Sequence, residues 1–408
     1  MQYPGDTVKD KFSGTILFLF LSSIAWGQTS WVESDASGLS LTPVAKSIFK
    51  VVKTPNPLAS NDILDAVAAS SGNDIWAVGD TAIHFDGTKW TGFPTAPIDN
   101  QGNTTPLNAV AVLSPTNAWA VGSVNDNGQI LGSIEHWDGT KWSLVPGPFA
   151  AQSDPLLFGI TAISSKDIWV VGSIIVQSVI EPLFVHYNGK VWKQVPGPVI
   201  GAQGLTLMQS VSALATNDVY AVGWSGFEND NSRTFVEHWN GKKWSVVPSP
   251  SVGAGANQLN SVVALAPNDV WGSGFSVAVA PPASAPQQTL IEHWDGTSWK
   301  VVASPNTGHG QFQSNRLFGI IANTATDLWA FGSAFKPDGS GQQLTLLLHW
   351  NGTKWTIAPS PNPKASNFLD DLLFGGVVTA PGSIWIVGTQ DEAPMPFSGT
   401  LVLHTTGG

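Results

Sequence analysis

Eight histidines are the side chains of this sequence best suited to acid–base chemistry or metal binding. Seven share one context, a histidine that follows a short apolar run, and they are His84, His136, His186, His238, His293, His349 and His404. The eighth, His309, lies in a glycine-rich stretch and is a weak candidate. Because a site needs side chains that converge at one place, regular repetition favours a structural role. One such role is a hydrogen bond from each histidine to a recurring aspartate. Those aspartates are Asp74, Asp167, Asp218, Asp269 and Asp327.

Carboxylates offer a second kind of chemistry. Glycoside hydrolysis needs two acids that any two loops can supply, and the available acids are Glu228, Asp230, Asp370 and Asp371. The sequence has no cysteine and therefore no disulfide, thiolate nucleophile or thiolate metal site. Short acidic turns at 126–128 and 338–339 lack the spaced oxygen ligands of a calcium loop. We assign no catalytic residue, metal site or cofactor from the sequence, which favours a protein that is not an enzyme.

The charge balance excludes one class of partner. The 408 residues include 18 Lys and Arg against 29 Asp and Glu, a net charge of −11, and the only arginines are Arg233 and Arg316. Nucleic acid is bound by clustered Lys and Arg. The sequence therefore predicts no nucleic-acid partner.

Residues 1–27 are typical of a signal peptide. Two lysines precede an apolar run over 16–21, and Ala25 and Gly27 supply the small side chains of a cleavage site. The run is shorter than the roughly 20 apolar residues that span a bilayer. We expect an exported protein, secreted, periplasmic or at the cell surface, with no membrane span.

A repeated motif defines the fold. A sequence close to Asp-Ile-Trp-Ala-Val-Gly occurs seven times, centred on Trp76, Trp119, Trp169, Tyr220, Trp271, Trp329 and Trp385. One clear unit, 259–303, contains four short segments rich in β-branched and aromatic residues, each bounded by Gly, Pro or Asx. An Asp-Gly turn joins the last two segments as an antiparallel hairpin. Seven such units predict an all-β, seven-bladed β-propeller with four-stranded antiparallel blades over 45–408, after a tail over 28–44.

The two ends of the sequence predict how the ring closes. The last repeat reaches His404 without a fourth segment, whereas the segment 49–52 near the start resembles the fourth segment at 299–302. We expect an N-terminal strand to complete the seventh blade, which leaves no open sheet edge.

The repeat resembles those of secreted bacterial β-propellers of the Asp-box and Kelch-like groups, within the superfold of galactose oxidase. The residues that carry the likeness are 75–79, 83–87 and Trp90, with the ending 403–408. Such propellers include lectins, glycosidases, sialidases and assembly factors, so the resemblance implies a fold and not one activity. A galactose-oxidase-like copper site would need a cysteine, and a sialidase-like site would need three arginines.

The connections between strands indicate where a ligand binds. Connections within the first and the last strand pair are short and uniform. The other two kinds, between the second and third strands and between one blade and the next, are long and varied, for example at 123–131, 173–182, 224–233, 275–288, 333–343 and 389–399. In an antiparallel meander these emerge on the rim where each blade begins. We call it the long-loop rim. Varied loops on a rigid scaffold are the usual place of binding residues.

A variable position precedes each motif tryptophan by eleven residues, and we expect it to ring the channel mouth on the long-loop rim. Acid, amide and aromatic side chains alternate there, a mixture that suits sugars, and the residues are Asp65, Asn108, Phe158, Gln209, Asn260, Phe318 and Phe374. Arg316 and Trp224 join this candidate site, the latter as the one tryptophan predicted in a loop after the motif glycine. The plainer interpretation is that the ring only plugs the channel and Trp224 caps a blade.

The sequence therefore predicts a monomeric, exported propeller that acts as a binding or scaffold module for a glycan or a protein partner. One alternative is a polysaccharide hydrolase or lyase that uses loop carboxylates. Another is a structural subunit of a surface assembly, indicated by the low share of charged residues, 12%.

Overall fold

The structure is a computed structural model that describes residues 47–58, 62–97, 104–126, 129–150, 153–176, 179–198, 205–226, 232–279, 285–308, 314–336, 338, 340–363, 370–392 and 397–405. The predicted signal peptide and tail, His309, Glu228 and Asp230 lie outside these residues. The described part consists of β-strands joined by turns. Within it, no helix has the length and apolar composition that a membrane crossing requires.

The first strand in the chain, β1 (Phe49–Val51), belongs to the last blade. Blade 1 then consists of β2 (Leu64–Ser71), β3 (Asp74–Gly79), β4 (Ala82–Phe85) and β5 (Trp90–Phe93). Blade 2 consists of β6 (Leu107–Ser114), β7 (Asn117–Asp126), β8 (Gln129–Trp137) and β9 (Trp142–Val145). Blade 3 consists of β10 (Asp154–Ser164), β11 (Asp167–Val176), β12 (Val179–Tyr187) and β13 (Trp192–Gln194).

Blade 4 consists of β14 (Leu205–Ala215), β15 (Asp218–Gly226), β16 (Arg233–Trp239) and β17 (Trp244–Val246). Blade 5 consists of β18 (Asn257–Ala266), β19 (Asp269–Val277), β20 (Gln287–Trp294) and β21 (Trp299–Val301). Blade 6 consists of β22 (Asn315–Thr324), β23 (Asp327–Phe335), β24 (Gln343–Trp350) and β25 (Trp355–Ala358). Blade 7 consists of β26 (Asp371–Ala380), β27 (Ser383–Glu392), β28 (Phe397–Thr405) and β1.

These seven antiparallel meanders confirm the predicted propeller. The first strands contact those of the neighbouring blades and so surround the central axis. Blades 3 and 4 form one eight-stranded sheet through a single parallel bridge between Ile180 and Leu205. Second strands are buried on both faces, as in β3, because each blade packs between two others.

Aromatic contacts join each blade to the next. The aromatic residue of a second strand packs against the aromatic residue that begins the next blade's fourth strand. Ring centroids lie 5.0 Å apart for Trp76 and Trp142, 5.4 Å for Trp119 and Trp192, 5.3 Å for Trp169 and Trp244, 6.0 Å for Trp271 and Trp355, and 5.7 Å for Trp385 and Trp90. Truncating one buried tryptophan costs about 3–5 kcal/mol, so these contacts are a main source of stability.

The N-terminal strand closes the ring, as predicted. β1 pairs antiparallel with β28, with Phe49 opposite Thr405. Phe49 is 2% exposed and takes the place of the fourth-strand tryptophan, 5.1 Å from Trp329 of blade 6. The backbone N–H of Thr400 also donates to the Asn56 side-chain oxygen at 3.0 Å. The first residues of the described chain are therefore integral to blade 7.

Three of the six predicted long loops are largely strand. The loop expected over 123–131 contains the ends of β7 and β8, which stay paired as far as Asp126 and Gln129. The loops expected over 173–182 and 389–399 are likewise mostly paired strand, because pairing satisfies backbone groups that a loop would leave to solvent. In blades 4, 5 and 6 the second strands end at Gly226, Val277 and Phe335, and the third strands begin at Arg233, Gln287 and Gln343. Blade 1 differs: only Asp80 and Thr81 separate β3 from β4. The long-loop rim is therefore built of projecting hairpins, except at blade 1, where it is low.

Candidate functional site

Seven β-bulges position the predicted ring of channel residues. In each blade the pairing between the first and second strands shifts by one residue, as between Leu64 and Ala66 in blade 1. The extra residue is the one that the sequence singled out in every blade: Asp65, Asn108, Phe158, Gln209, Asn260, Phe318 and Phe374. All seven are partly exposed. A bulge re-aims one side chain out of the ladder, so these residues form a ring on the innermost strands.

The motif glycine makes each bulge possible. A Cβ on Gly79 would lie 2.1 Å from the Ile63 carbonyl oxygen, and one on Gly122 would lie 1.9 Å from that of Pro106. No side chain fits within such a distance. Glycine therefore lets the first strand approach closely at the point where the channel residue protrudes.

Several ring residues already contact the next blade. The side-chain amide of Asn108 donates to the Leu157 carbonyl at 2.7 Å, and that of Asn260 donates to the Leu317 carbonyl at 2.8 Å. The aromatic rings of Phe318 and Phe374 meet edge to face, with centroids 5.2 Å apart. Part of the ring therefore joins blades, and all of its members keep some exposure.

Trp224 lies in a strand and not in a loop, which corrects the prediction. It belongs to β15, opposite Thr234, and is 7% exposed. It packs with Leu156, Ile180 and Leu207 in a small apolar cluster beneath the rim of blades 2 to 4, and Phe158 packs against this cluster. Trp224 is thus better suited to support the rim than to contact a ligand.

Arg316 lies between blades 5 and 6. Its Nε donates to the side-chain oxygen of Gln287, and its guanidinium carbon lies 5.1 Å from the centre of the Phe275 ring. Burial lowers the pKa of Arg316 to about 10, so it stays charged at neutral pH. The residue adjoins the ring at Phe318 but is oriented by blade 5.

Three carboxylates meet where the rim is low, and we call Asp62, Asp65 and Asp80 the acidic corner. Burial, and secondarily the charge of Asp80, raises the pKa of Asp65 to about 7. Burial, and secondarily the charge of Asp62, raises the pKa of Asp80 to about 6. Asp62 is 1% exposed and accepts hydrogen bonds from the Leu58 backbone N–H at 3.0 and 3.3 Å. Each of the two raised pKa values therefore reflects, in part, the negative charge of a neighbouring carboxylate.

Two of the four acids proposed from the sequence, Asp370 and Asp371, are among the described residues. Asp370 accepts hydrogen bonds from the backbone and the side chain of Gln343, at 2.7 and 3.2 Å, and so joins blade 7 to blade 6. Burial raises its pKa. Asp371 is fully buried. Asp370 therefore joins two blades, and the partly exposed pair of acids that is suited to chemistry is Asp65 with Asp80.

The sequence marks Asp80 as an exception among the repeats. The residue after each motif glycine is Ser, Thr or aromatic in the other blades, and it is aspartate only in blade 1. In blades 2 and 3 this residue, Ser123 or Ser173, bonds to the backbone of the next blade at 2.9–3.3 Å. A charged residue at that position is therefore a departure from the structural pattern.

The recurring histidines form structural pairs, as predicted. In five blades Nε2 donates to the recurring aspartate at 2.7–2.8 Å: the pairs are His84 with Asp74, His186 with Asp167, His238 with Asp218, His293 with Asp269, and His349 with Asp327. Asn117 and Ser383 are the partners in blades 2 and 7. Each imidazole also packs against the second-strand aromatic ring, and four of the seven are stacked on it, as His404 is on Trp385 at 3.8 Å. Among the described residues, no cluster of three or more His, Asp or Glu could hold a metal ion.

We expect the His238–Asp218 pair of blade 4 to tolerate replacement of the carboxylate by an amide but not its removal. Asp218→Ala leaves the partly buried His238 without its acceptor and should lower the free energy of unfolding by about 1–2 kcal/mol. Asp218→Asn reproduces the Asn117 arrangement and should cost less than about 0.5 kcal/mol. Chemical denaturation of both variants measures this, and equal losses would show that the carboxylate charge matters and not its oxygen.

Three glutamates that the sequence reasoning missed are buried in third strands. Glu135, Glu237 and Glu292 each precede a recurring histidine and are 0% exposed. Glu135 accepts from the Ala96 backbone N–H at 2.9 Å, and Glu292 accepts from the Ser249 hydroxyl at 2.5 Å. Neither carboxyl oxygen of Glu237 has a partner among the described atoms. Burial raises the pKa to about 7 for Glu135 and about 8 for the other two.

Comparison with known proteins defines the fold and little else. No family model matches the sequence, and a search of curated proteins finds no similar sequence. Among solved structures, the chain resembles YCF48 bound to a D1 peptide, with a TM-score of 0.54 and 15% identity over 90% of this chain and 100% of that chain.

Two polysaccharide-active proteins are similar to the same degree. The GH74 xyloglucanase from Xanthomonas campestris has a TM-score of 0.54 and 11% identity, over 86% of this chain and 55% of that chain. A PL25 ulvan lyase bound to -[GlcA(1-4)Rha3S]- has a TM-score of 0.54 and 10% identity, over 86% of this chain and 95% of that chain. At such identities the likeness shows architecture alone: this chain has the fold of β-propellers that bind peptides or polysaccharides.

Proposed function

We propose that this protein is an exported, monomeric β-propeller that binds a glycan or a protein partner over the channel mouth on its long-loop rim. One observation carries the proposal. The bulge residues vary among acid, amide and phenylalanine, while the strands, histidine pairs and aromatic contacts around them repeat in every blade. Recognition of one ligand needs such broken symmetry, because a sevenfold ring of identical groups has no unique site.

The available chemistry suits either class of ligand. Partly exposed phenylalanine rings at Phe318 and Phe374 offer apolar faces to a sugar ring or an aliphatic side chain. Asn108 and Asn260 keep an oxygen and one N–H each for further hydrogen bonds. The similar propellers with a peptide or a sugar bound are consistent with both.

Array binding tests this proposal. The wild-type protein is screened on glycan and peptide arrays, and the best ligand is then titrated against the double variant Phe318→Ala, Phe374→Ala. Loss of two aromatic contacts should weaken binding by about tenfold or more. Leu144→Ala, on the outer strand β9 and 44% exposed, is the control and should bind as wild type. A double variant that binds as tightly as wild type would refute a site at the channel mouth.

A second candidate function, cleavage of a polysaccharide, rests on Asp65 and Asp80. Two neighbouring carboxyls with pKa values raised to about 7 and about 6 have the properties of a general acid and its partner. Reducing-end release from xyloglucan and unsaturated uronate release from ulvan are suitable assays. Activity that disappears in Asp65→Asn and in Asp80→Asn would establish this function, and activity retained in both would remove these residues from it.

The structural-subunit alternative is tested by the oligomeric state. Light scattering of the purified protein at several concentrations distinguishes a monomer, which we propose, from a defined assembly.

A further inference from the structure

The rim opposite the long-loop rim is level, and we call it the short-loop rim. In every blade two residues join the first strand to the second, as Pro115 and Thr116 do in blade 2. In blades 1 to 6 four residues join the third strand to the tryptophan that begins the fourth, as from 138 to 141. Turns of the same length end at the same height, so a flat partner can contact neighbouring blades at once.

Blades 3 and 4 depart from the repeat in the turn between their third and fourth strands. The third residue of this turn is a lysine in these two blades, Lys190 and Lys242. It is a threonine in the other four turns of this kind, namely Thr88, Thr140, Thr297 and Thr353. The first residue is an amide, Asn188 or Asn240, where blades 1, 2 and 5 have an aspartate. Both differences make the turns of blades 3 and 4 more positive.

Three further lysines lie beside these two turns and complete what we call the lysine patch. The patch consists of five exposed residues: Lys166, Lys190, Lys193, Lys242 and Lys243. Lys166 packs against the turn of its own blade, because a Cβ on Gly189 would lie 2.7 Å from its Cγ. The two blades also meet closely here. The ring centroid of Trp169 lies 5.0 Å from that of Trp239 and 5.3 Å from that of Trp244, the residues that flank the blade 4 turn. The five lysines therefore share one sector of the short-loop rim.

The lysine patch has no ion-pair partner within the described part of the chain, where only Lys300 and Lys336 form lysine ion pairs. The aspartates of the same two blades, Asp167 and Asp218, are paired with histidines at 2.8 and 2.7 Å, and their side chains are 11% and 17% exposed. The patch is therefore positive at the surface, since its lysines are exposed and these carboxylates are mostly enclosed. Val191, 47% exposed, lies among the lysines and adds an apolar contact.

We propose that the lysine patch binds an anionic lipid surface, so that blades 3 and 4 of the short-loop rim lie against a membrane and the long-loop rim faces away from it. Each lysine near an anionic bilayer raises the affinity roughly fivefold. The level rim lets the patch approach the bilayer, and Val191 adds apolar contact with the headgroup region. This inference goes beyond the proposed function, because it attaches the protein to a surface with its channel mouth directed outward.

The net charge of −11 does not oppose this contact at close range. Even in the low blade 1, the six residues of β3 hold the acidic corner about 20 Å from the short-loop turns. The Debye length at physiological ionic strength is about 8 Å, so the far acids are screened from the lipid. On the short-loop rim itself, the exposed acids Asp86, Asp138 and Asp295 each have a lysine close by. The acids of the long-loop rim therefore favour this orientation over the opposite one.

The type of basic residue favours lipid over a soluble polyanion. Arginine binds phosphate and sulfate groups through two parallel hydrogen bonds and is the usual residue where such groups are recognised individually. The two arginines lie outside the patch, because Arg233 begins β16 and Arg316 lies near the start of β22, both towards the long-loop rim. Lysine attracts as a point charge without fixed geometry, which suits a fluid layer of headgroups.

Co-sedimentation with vesicles tests the inference. The full mature protein is mixed with vesicles of phosphatidylcholine alone and with vesicles that also contain phosphatidylglycerol. The wild type should bind only the anionic vesicles, and high salt should release it. The patch variant is Lys190→Thr, Lys193→Ser, Lys242→Thr. Blade 2 has Thr140 and Ser143 at the equivalent positions, so the variant should fold, and it should bind about tenfold more weakly or worse.

A matched control removes three lysines from other sectors: Lys50→Thr, Lys89→Ser, Lys354→Ser. Thr91 and Ser298 are the equivalent residues of other blades, and the net charge changes by the same amount as in the patch variant. The control should bind the anionic vesicles within about threefold of wild type. Equal losses in the two variants would show that only net charge matters and would overturn the inference.

Two further outcomes would also overturn it. One is equal binding of the wild type to vesicles with and without phosphatidylglycerol. The other is tighter binding of long-chain polyphosphate than of the anionic vesicles, which would assign the patch to a soluble polyanion. Because the patch lies on the rim opposite the channel mouth, the patch variant should still bind the ligand found on the arrays. The proposed function and this inference therefore stand or fail separately.

Discussion

Deletion of residues 45–55 will turn the protein from a monomer into a destabilised, aggregating chain. The deletion removes β1 and the Phe49 side chain, which packs against Trp329 of blade 6 at 5.1 Å. Loss of a buried phenylalanine alone costs about 3–5 kcal/mol. The unpaired edge of β28 would then be open to pairing with another copy. We expect a loss of more than about 5 kcal/mol in the free energy of unfolding, read by calorimetry, together with oligomers in light scattering.

Two further variants distinguish the loss of ring closure by β1 from the loss of chain length. Deletion of residues 29–39 removes an equal length of the predicted tail and should leave the melting temperature unchanged. Phe49→Trp restores the side chain that the other blades carry and should be tolerated or stabilising. A protein without 45–55 that stays monomeric and melts at the wild-type temperature would contradict the role given to β1.

The protein will lose stability as the pH rises from 6.5 to 9. The pKa of Glu237 and of Glu292 is about 8 in the folded protein against an ordinary value of 4.5, because both carboxyls are buried. The folded state therefore holds protons that the unfolded state has released. Stability from this source is full below about pH 4.5, falls as the pH rises, and levels off above about pH 8.

The expected size follows from about 1.4 kcal/mol per pH unit for each carboxyl in that interval. Between pH 6.5 and 9, two glutamates should lower the free energy of unfolding by about 4 kcal/mol. Below pH 6.5 the partly buried His136 and His404, whose pKa values are lowered by desolvation, act in the opposite direction, so the alkaline interval is the cleaner one. Denaturation at several pH values measures the slope.

Glu237→Leu tests the source of this slope. Leucine occupies the equivalent position in blade 6 as Leu348, so it should fit, and the variant should lose about half of the pH dependence and be more stable at pH 9. Glu181→Gln, at an exposed acid of β12, should leave the slope unchanged. A wild-type protein whose stability is flat from pH 6.5 to 9 would show that these glutamates ionise freely.

The sequence predicted the features that repeat. The motif glycine and the recurring histidine occur once in every repeat, the aspartate occurs in five repeats, and the fourth segment is missing from the last repeat alone. This recurrence was enough to predict seven blades, the closing strand and the histidine partners. The ring position could be found because the bulge, which depends on a repeated glycine, keeps the same offset from the motif in every blade.

Features that depend on contacts between blades could not be predicted from the repeats. Trp224 follows the motif glycine as a loop residue would, but the continued pairing of β15 with β16 places it inside an apolar cluster. The raised pKa of Asp80 depends on Asp62, which lies 18 residues earlier and is near it only through the tight pairing of β2 with β3. Burial of Glu237 likewise depends on the chain that follows blade 3, where a Cβ on Gly197 would lie 3.8 Å from its carboxyl oxygen.

The pairing of β1 with β28 has a consequence for how the polypeptide could be rearranged. Phe49 and Thr405 are opposite one another, the same relation that Trp142 and Trp137 have across the Asp-Gly turn of blade 2. A four-residue turn of that kind could join 405 to 49, and new ends could be opened in any connection on the long-loop rim. In the circularly permuted protein, blade 7 would be built from one continuous stretch of chain. Only a blade that contains the new ends would be built from two separate stretches.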